Sequence, residues 1–190
     1  MQATRHASAT LLFTDFAGFT AAASTMPPDV LVAELNEIFA AFDRICQCHG
    51  LDRIKTIGDA YMAAAGVTAS CEDHAQRCVR AAQDMVAFLE QRNTVSAFKW
   101  HLRVGVHSGP VIAGVLGTHK LAFDVWGDTV NLAARMESAG AVGRINVSAY
   151  TYHLIQSEFA CSYRGRLSAK GKGEVDMYFV DAPQPPAQPA

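Results

Sequence analysis

A lysine and an aspartate four residues apart, Lys55 and Asp59, lie in the stretch Arg53-Ile54-Lys55-Thr56-Ile57-Gly58-Asp59-Ala60-Tyr61-Met62. Gly-Asp between two apolar runs predicts a tight β-hairpin with Asp59 at its tip. The even spacing would put the cation and the carboxylate on one side of a regular strand, roughly 13 Å apart. That separation is close to the reach of a nucleotide from base to phosphates. A second carboxylate, Asp15, closes a buried strand predicted over residues 8 to 14. If the hairpin pairs beside that strand, the two carboxylates converge. Such a pair suits Mg²⁺ or Mn²⁺, which prefer oxygen ligands and keep positions open for phosphate oxygens. Spacing alone leaves a second reading open, in which Asp15 caps its turn and Asp59 fills a turn position where aspartate is common.

Further along, Asn131 and Arg135 stand four apart on a short predicted helix and share a face. Asn can fix a hydroxyl or ring oxygen, and Arg can hold charge that grows on a phosphate in a transition state. A plain polar helix face is the alternative. Lys170 and Lys172, in a glycine-rich hairpin, could reach phosphates or simply be solvated. Arg103 lies inside an alternating strand and needs an anion or carboxylate partner if it points inward. Phe16, Ala17, Gly18, Phe19 and Thr20 form a turn whose backbone N–H groups could face a phosphate, although no GxGxxG or GxxxxGK[ST] pattern is present. Cys46, Cys48 and His49 lack a second pair with zinc-ligand spacing. His107, beside Ser108, reads as a turn residue.

The elements that must position these groups follow from periodicity. Pro27-Pro28-Asp29 starts a helix whose apolar positions, from Leu31 to Cys46, keep helical spacing to Gly50. The hairpin follows, then an amphipathic helix from about Glu72 to Gln91. Leu102, Val104 and Val106 alternate, and Ser108-Gly109-Pro110 is read as a turn into a strand from Val111 to Val115. This βαββαβ order predicts an antiparallel sheet with helices packed on one face. Phe123 to Trp126 forms a short strand, and Asp128 or Thr129 caps a helix running to about Ser138. Arg144 to Val147 is a further strand, and residues 159 to 180 form a hairpin. The domain is expected over 8–181, with an N-terminal tail at 1–7 and a Pro-rich flexible tail at 182–190.

With 190 residues, 50% of them hydrophobic, the chain fits one domain with a full core. Its formal net charge of −2 supplies no field to recruit nucleic acid or an anionic membrane. Apolar runs break well before about 18 residues, and no signal peptide opens the chain. Five cysteines without CxxC spacing fit a reduced, cytoplasmic setting.

Five motifs in order carry a resemblance. Phe13-Thr14-Asp15-Phe16-Ala17-Gly18-Phe19-Thr20, Ile54 to Met62, Arg103-Val104-Gly105-Val106-His107-Ser108-Gly109, Phe123 to Met136, and Lys170-Gly171-Lys172-Gly173 together resemble the catalytic domain of class III nucleotidyl cyclases. The resemblance covers about residues 8 to 181. It implies an α+β fold, a ferredoxin-like palm with a βαββαβ core, an antiparallel sheet flanked by helices, and a C-terminal α/β extension. It matches Asp15 and Asp59 to the family's metal-binding aspartates, which hold two Mg²⁺ or Mn²⁺ ions per active site. Lys55 and Asp124 match its base-reading pair, where guanylate cyclases usually carry glutamate and cysteine. Asn131 matches the ribose-orienting residue and Arg135 the transition-state residue. Lys170 and Arg103 match residues that contact the terminal phosphates. The resemblance further implies an adenylate cyclase acting on ATP as a head-to-tail homodimer, with sites shared between two chains and possible regulatory domains outside this one.

Overall fold

The computed structural model describes residues 3–169 and 173–181. Lys170, Gly171, Lys172 and the Pro-rich segment 182–190 therefore lie outside the described residues. The elements run β1 (Thr4–Phe16), α1 (Phe19–Thr25), α2 (Pro28–His49), β2 (Asp52–Ile57), β3 (Ala60–Ala65), α3 (His74–Val95), β4 (Leu102–Leu116), β5 (Ala122–Trp126), α4 (Asp128–Ser138), β6 (Ile145–Ser148), α5 (Ala149–Ile155), β7 (Cys161–Ala169) and β8 (Gly173–Val180). They build one sheet in the order β2-β3-β1-β4-β6-β8-β7, with β5 paired to β4. The segment β2-β3-β1-β4 is antiparallel throughout and, with α2 and α3, forms the ferredoxin-like palm. β6 joins β4 in parallel, and the β7–β8 hairpin extends the sheet from there.

Two apolar faces result from the strand alternation of β1. Leu12 and Phe16 face a core with Ile38 and Phe42 of α2, Val79 and Met85 of α3, and Ile155 of α5. Leu11 and Phe13 face the other way, toward Met62, Val125 and Ala133 of α4. Helices thus cover both faces, and the expectation of a single covered face is corrected. The deciding contact is Gly105 on β4. A Cβ there would stand 1.9 Å from the Glu137 backbone nitrogen, so only glycine lets α4 lie this close.

Four further expectations give way. The first strand begins at Thr4, not Ser8, because Thr4–His6 pair with Val111–Ala113. Ser108-Gly109-Pro110 is no turn: β4 runs through it. Pro110 cannot donate to a ladder, and it falls opposite the register shift between His6 and Ala9, where a donor is not required. His107 is consequently a buried strand residue, with Nδ1 2.6 Å from Ser148 Oγ. Neither Asp128 nor Thr129 caps α4, whose N-cap is Gly127; the Thr129 hydroxyl donates instead to the Pro110 carbonyl at 2.6 Å. The short helix α5, capped by the Ser148 side chain accepting from the Thr151 N–H, carried too few turns to show a clear helical period.

Candidate active site

Asp15 and Asp59 meet. The hairpin turns at Gly58, whose φ of 63° suits glycine, and β3 pairs with β1 so that Tyr61 lies opposite Thr14. This carries the turn residue Asp59 to the end of β1, where its carboxyl comes beside that of Asp15 and the Phe16 backbone. Burial, together with the neighbouring Asp15 carboxyl, pushes Asp59 up to about 6. The chain reverses between Lys55 and Asp59, so the straight-strand separation of roughly 13 Å does not apply to them.

Arg103 finds the carboxylate partners that an inward arginine requires. It sits directly across from Asp15 in the β1–β4 ladder. Its Nη2 donates to Asp15 Oδ2 at 2.6 Å, and its Nε donates to Glu137 Oε1 at 2.9 Å. Glu137, on α4, was not singled out from the sequence. The available signal was the charge of Arg103 itself, which calls for an anion or carboxylate partner if it points inward. Burial pushes the Glu137 carboxyl up against the pull of Arg103.

Lys55 and Asp124 form a second cluster. Lys55 Nζ donates to Asp124 Oδ2 at 2.6 Å, and Asp124 Oδ1 accepts from the Val125 N–H. The pair therefore presents a cation and a carboxylate side by side, joining β2 to β5. On α4, Leu132, Ala133 and Met136 are buried, which leaves Asn131 exposed and Arg135 partly so on the outward side. Arg135 Nη1 lies 3.5 Å from the Ser168 carbonyl, near the end of β7. Lys170, two residues beyond Ser168, is outside the described residues.

The turn after β1 is more committed than its sequence suggested. The Phe16 ring is core, 5.3 Å from Trp100 between centroids. The Ala17 N–H bonds the His101 carbonyl at 2.8 Å. Phe19 packs on Trp100 at 5.9 Å, and α1 begins there, so the N–H groups from Phe19 and Thr20 belong to a helical first turn without intrahelical acceptors. Gly18, with φ 75°, makes that entry. Among the described residues no three His, Cys, Asp or Glu side chains gather as a metal cluster, and no helix is long and apolar enough to cross a membrane.

With this geometry in place, the sequence can be set beside known proteins. The pattern of the adenylate and guanylate cyclase catalytic domain matches residues 1–182. The chain belongs to this family. An adenylate cyclase of Mycobacterium tuberculosis is 39% identical over 178 residues, covering 94% of this chain and 40% of that protein. Among solved structures, the GTP complex of the guanylate cyclase domain of a Catenaria anguillulae protein superposes with a TM-score of 0.90 at 35% identity, covering 94% of this chain and 98% of that one. The catalytic core of a rhodopsin-guanylyl cyclase with converted specificity, bound to ATPαS, gives 0.89 at 35% identity, covering 96% and 99%. Cyclase domains of both base specificities are therefore similar to this chain.

Proposed function

We propose that this cyclase domain converts ATP to 3′,5′-cyclic AMP and pyrophosphate in sites shared by two chains. The observation that carries the choice of base is the Lys55–Asp124 pair. Adenine offers an amino donor and a ring-nitrogen acceptor, which Asp124 as acceptor and Lys55 as donor complement. Guanine would set a carbonyl against the carboxylate and leave buried polar groups unpaired, at roughly 1–3 kcal/mol each.

The two facing carboxyls of Asp15 and Asp59 fit a divalent cation. Both are hard oxygen donors, their mutual repulsion calls for positive charge, and only two protein ligands leave positions for phosphate oxygens. Mg²⁺ or Mn²⁺ bound there would lower the pKa of the ribose 3′-hydroxyl and neutralise the triphosphate. Asn131 orients the ribose. Arg135 holds the charge that develops on the α-phosphate as the 3′-oxygen attacks in line and pyrophosphate leaves. Such a donor is worth about 3 kcal/mol, on the order of a hundredfold in rate. In this reading Arg103 and Lys170 contact the terminal phosphates, and the backbone N–H groups at Gly18, Phe19 and Thr20, where α1 begins, supply further donors.

Product formation from ATP and from GTP, measured side by side with Mg²⁺ and with Mn²⁺ over a range of protein concentrations, tests this reading. The expected result is cyclic AMP from ATP, with turnover per chain rising as dimers form. A preference for GTP would overturn the base assignment.

A further inference from the structure

Arg103 lies between two carboxylates that belong to different parts of the site. Asp15, with a side chain 24% exposed, faces Asp59; Glu137, only 12% exposed, sits on α4, two residues after Arg135. The Glu137 backbone is fixed against β4 at Gly105, where not even a methyl group fits. A carboxylate so enclosed needs a cation, and Arg103 Nε supplies it at 2.9 Å. The same guanidinium reaches Asp15 with Nη2 at 2.6 Å. One positive charge is thus divided between an enclosed anchor and a more open carboxylate.

We propose that Glu137 is a positioning residue that holds Arg103 as a displaceable counterion on Asp15. In the absence of a divalent cation, the guanidinium occupies the Asp15 oxygen that such a cation would use. When Asp15 is taken, Nη2 is released while Glu137 retains Nε, so the freed end of Arg103 stays beside the site. This rests on the assignment of Asp15 and Asp59 as the cation-binding pair. Two opposite effects follow from the shared charge. Removing the Glu137 charge leaves Arg103 to Asp15 alone, where it competes harder with a cation. Removing Arg103 frees Asp15.

Mn²⁺ alone, titrated into the nucleotide-free protein and followed by the paramagnetic resonance signal of the unbound ion, reads this directly. Glu137→Gln should bind Mn²⁺ about fivefold more weakly than wild type, and Arg103→Gln about fivefold more tightly, the scale of one partly buried ion pair. The Arg103→Gln/Glu137→Gln protein should match Arg103→Gln, because Glu137 acts only through Arg103. A merely structural Glu137 would weaken binding equally in both backgrounds, and that result, or unchanged affinity in Glu137→Gln, overturns the proposal. Should Glu137→Gln fail to fold, the double variant decides: tighter binding than wild type supports the proposal, and equal or weaker binding overturns it. Asp15→Asn/Asp59→Asn separates the two assignments. If wild type binds Mn²⁺ no better than that variant, the cation-site reading itself fails and the proposal falls with it.

Discussion

Asp59 is held in a state that costs stability without a cation. Burial, with the neighbouring Asp15 carboxyl, raises its pKa to about 6. On the proposed assignment, Asp15→Ala or Asp59→Ala should leave a folded protein with less than about a tenth of wild-type turnover, since each would remove a ligand of the divalent ion. Asp59→Asn keeps the shape and removes the repulsion. It should therefore unfold at a higher temperature than wild type when divalent ions are absent, while losing turnover; a lower melting temperature would contradict the account. The base-reading pair makes a separate prediction. Lys55→Glu with Asp124→Cys reverses donor and acceptor, so ATP turnover should collapse. An unchanged ratio of ATP to GTP turnover would remove both residues from the base pocket. The placement of these residues was legible because their patterns are local: Lys55 and Asp59 in one hairpin, Asn131 and Arg135 on one helix. The contact of Glu137 with Arg103 was not, because Arg103 lies 34 residues earlier and meets it only through the packing of α4 on β4.

At the level of elements, helix and strand periods placed α2, α3, β2, β3 and the palm order correctly. What they missed depends on pairing partners. Pro110 reads as a turn residue until β1 is seen to shift register opposite it. The side of the sheet that α4 covers is set by Gly105, which carries no period of its own. Gly105→Ala should therefore push α4 off β4, lowering stability by about 1–3 kcal/mol and reducing turnover through Asn131 and Arg135. Thermal unfolding and kcat check both halves of that statement. The start of α3 makes a different prediction. His74 is enclosed by the Thr10 and Ser8 hydroxyls, at 2.7 Å from Nδ1 and 3.1 Å from Nε2. Burial lowers its pKa, opposed by Asp73. The folded state thus favours neutral imidazole, whereas the unfolded chain takes up a proton near pH 6.5. The His74 contribution to stability should be complete above about pH 6.5 and be lost as pH falls below it. His74→Gln should flatten that part of the melting-temperature profile, and parallel profiles for the two proteins would contradict it.

On the scale of the whole molecule, one chain brings together Asp15, Asp59, Arg103 and Glu137 in one cluster and Lys55 with Asp124 in another. The central claim is that catalysis joins the aspartates of one chain to Lys55, Asp124, Asn131 and Arg135 of a second, giving two equivalent sites in a symmetric dimer. An Asp59→Ala chain and an Arg135→Ala chain should each be nearly inactive alone. Mixed in equal amounts, half of the randomly assembled dimers are heterodimers, with both lesions in one site and neither in the other. Cyclic AMP formation by the mixture should recover to about a quarter of wild type. A mixture that stays as inactive as its components, although heterodimers demonstrably form, would contradict the shared site.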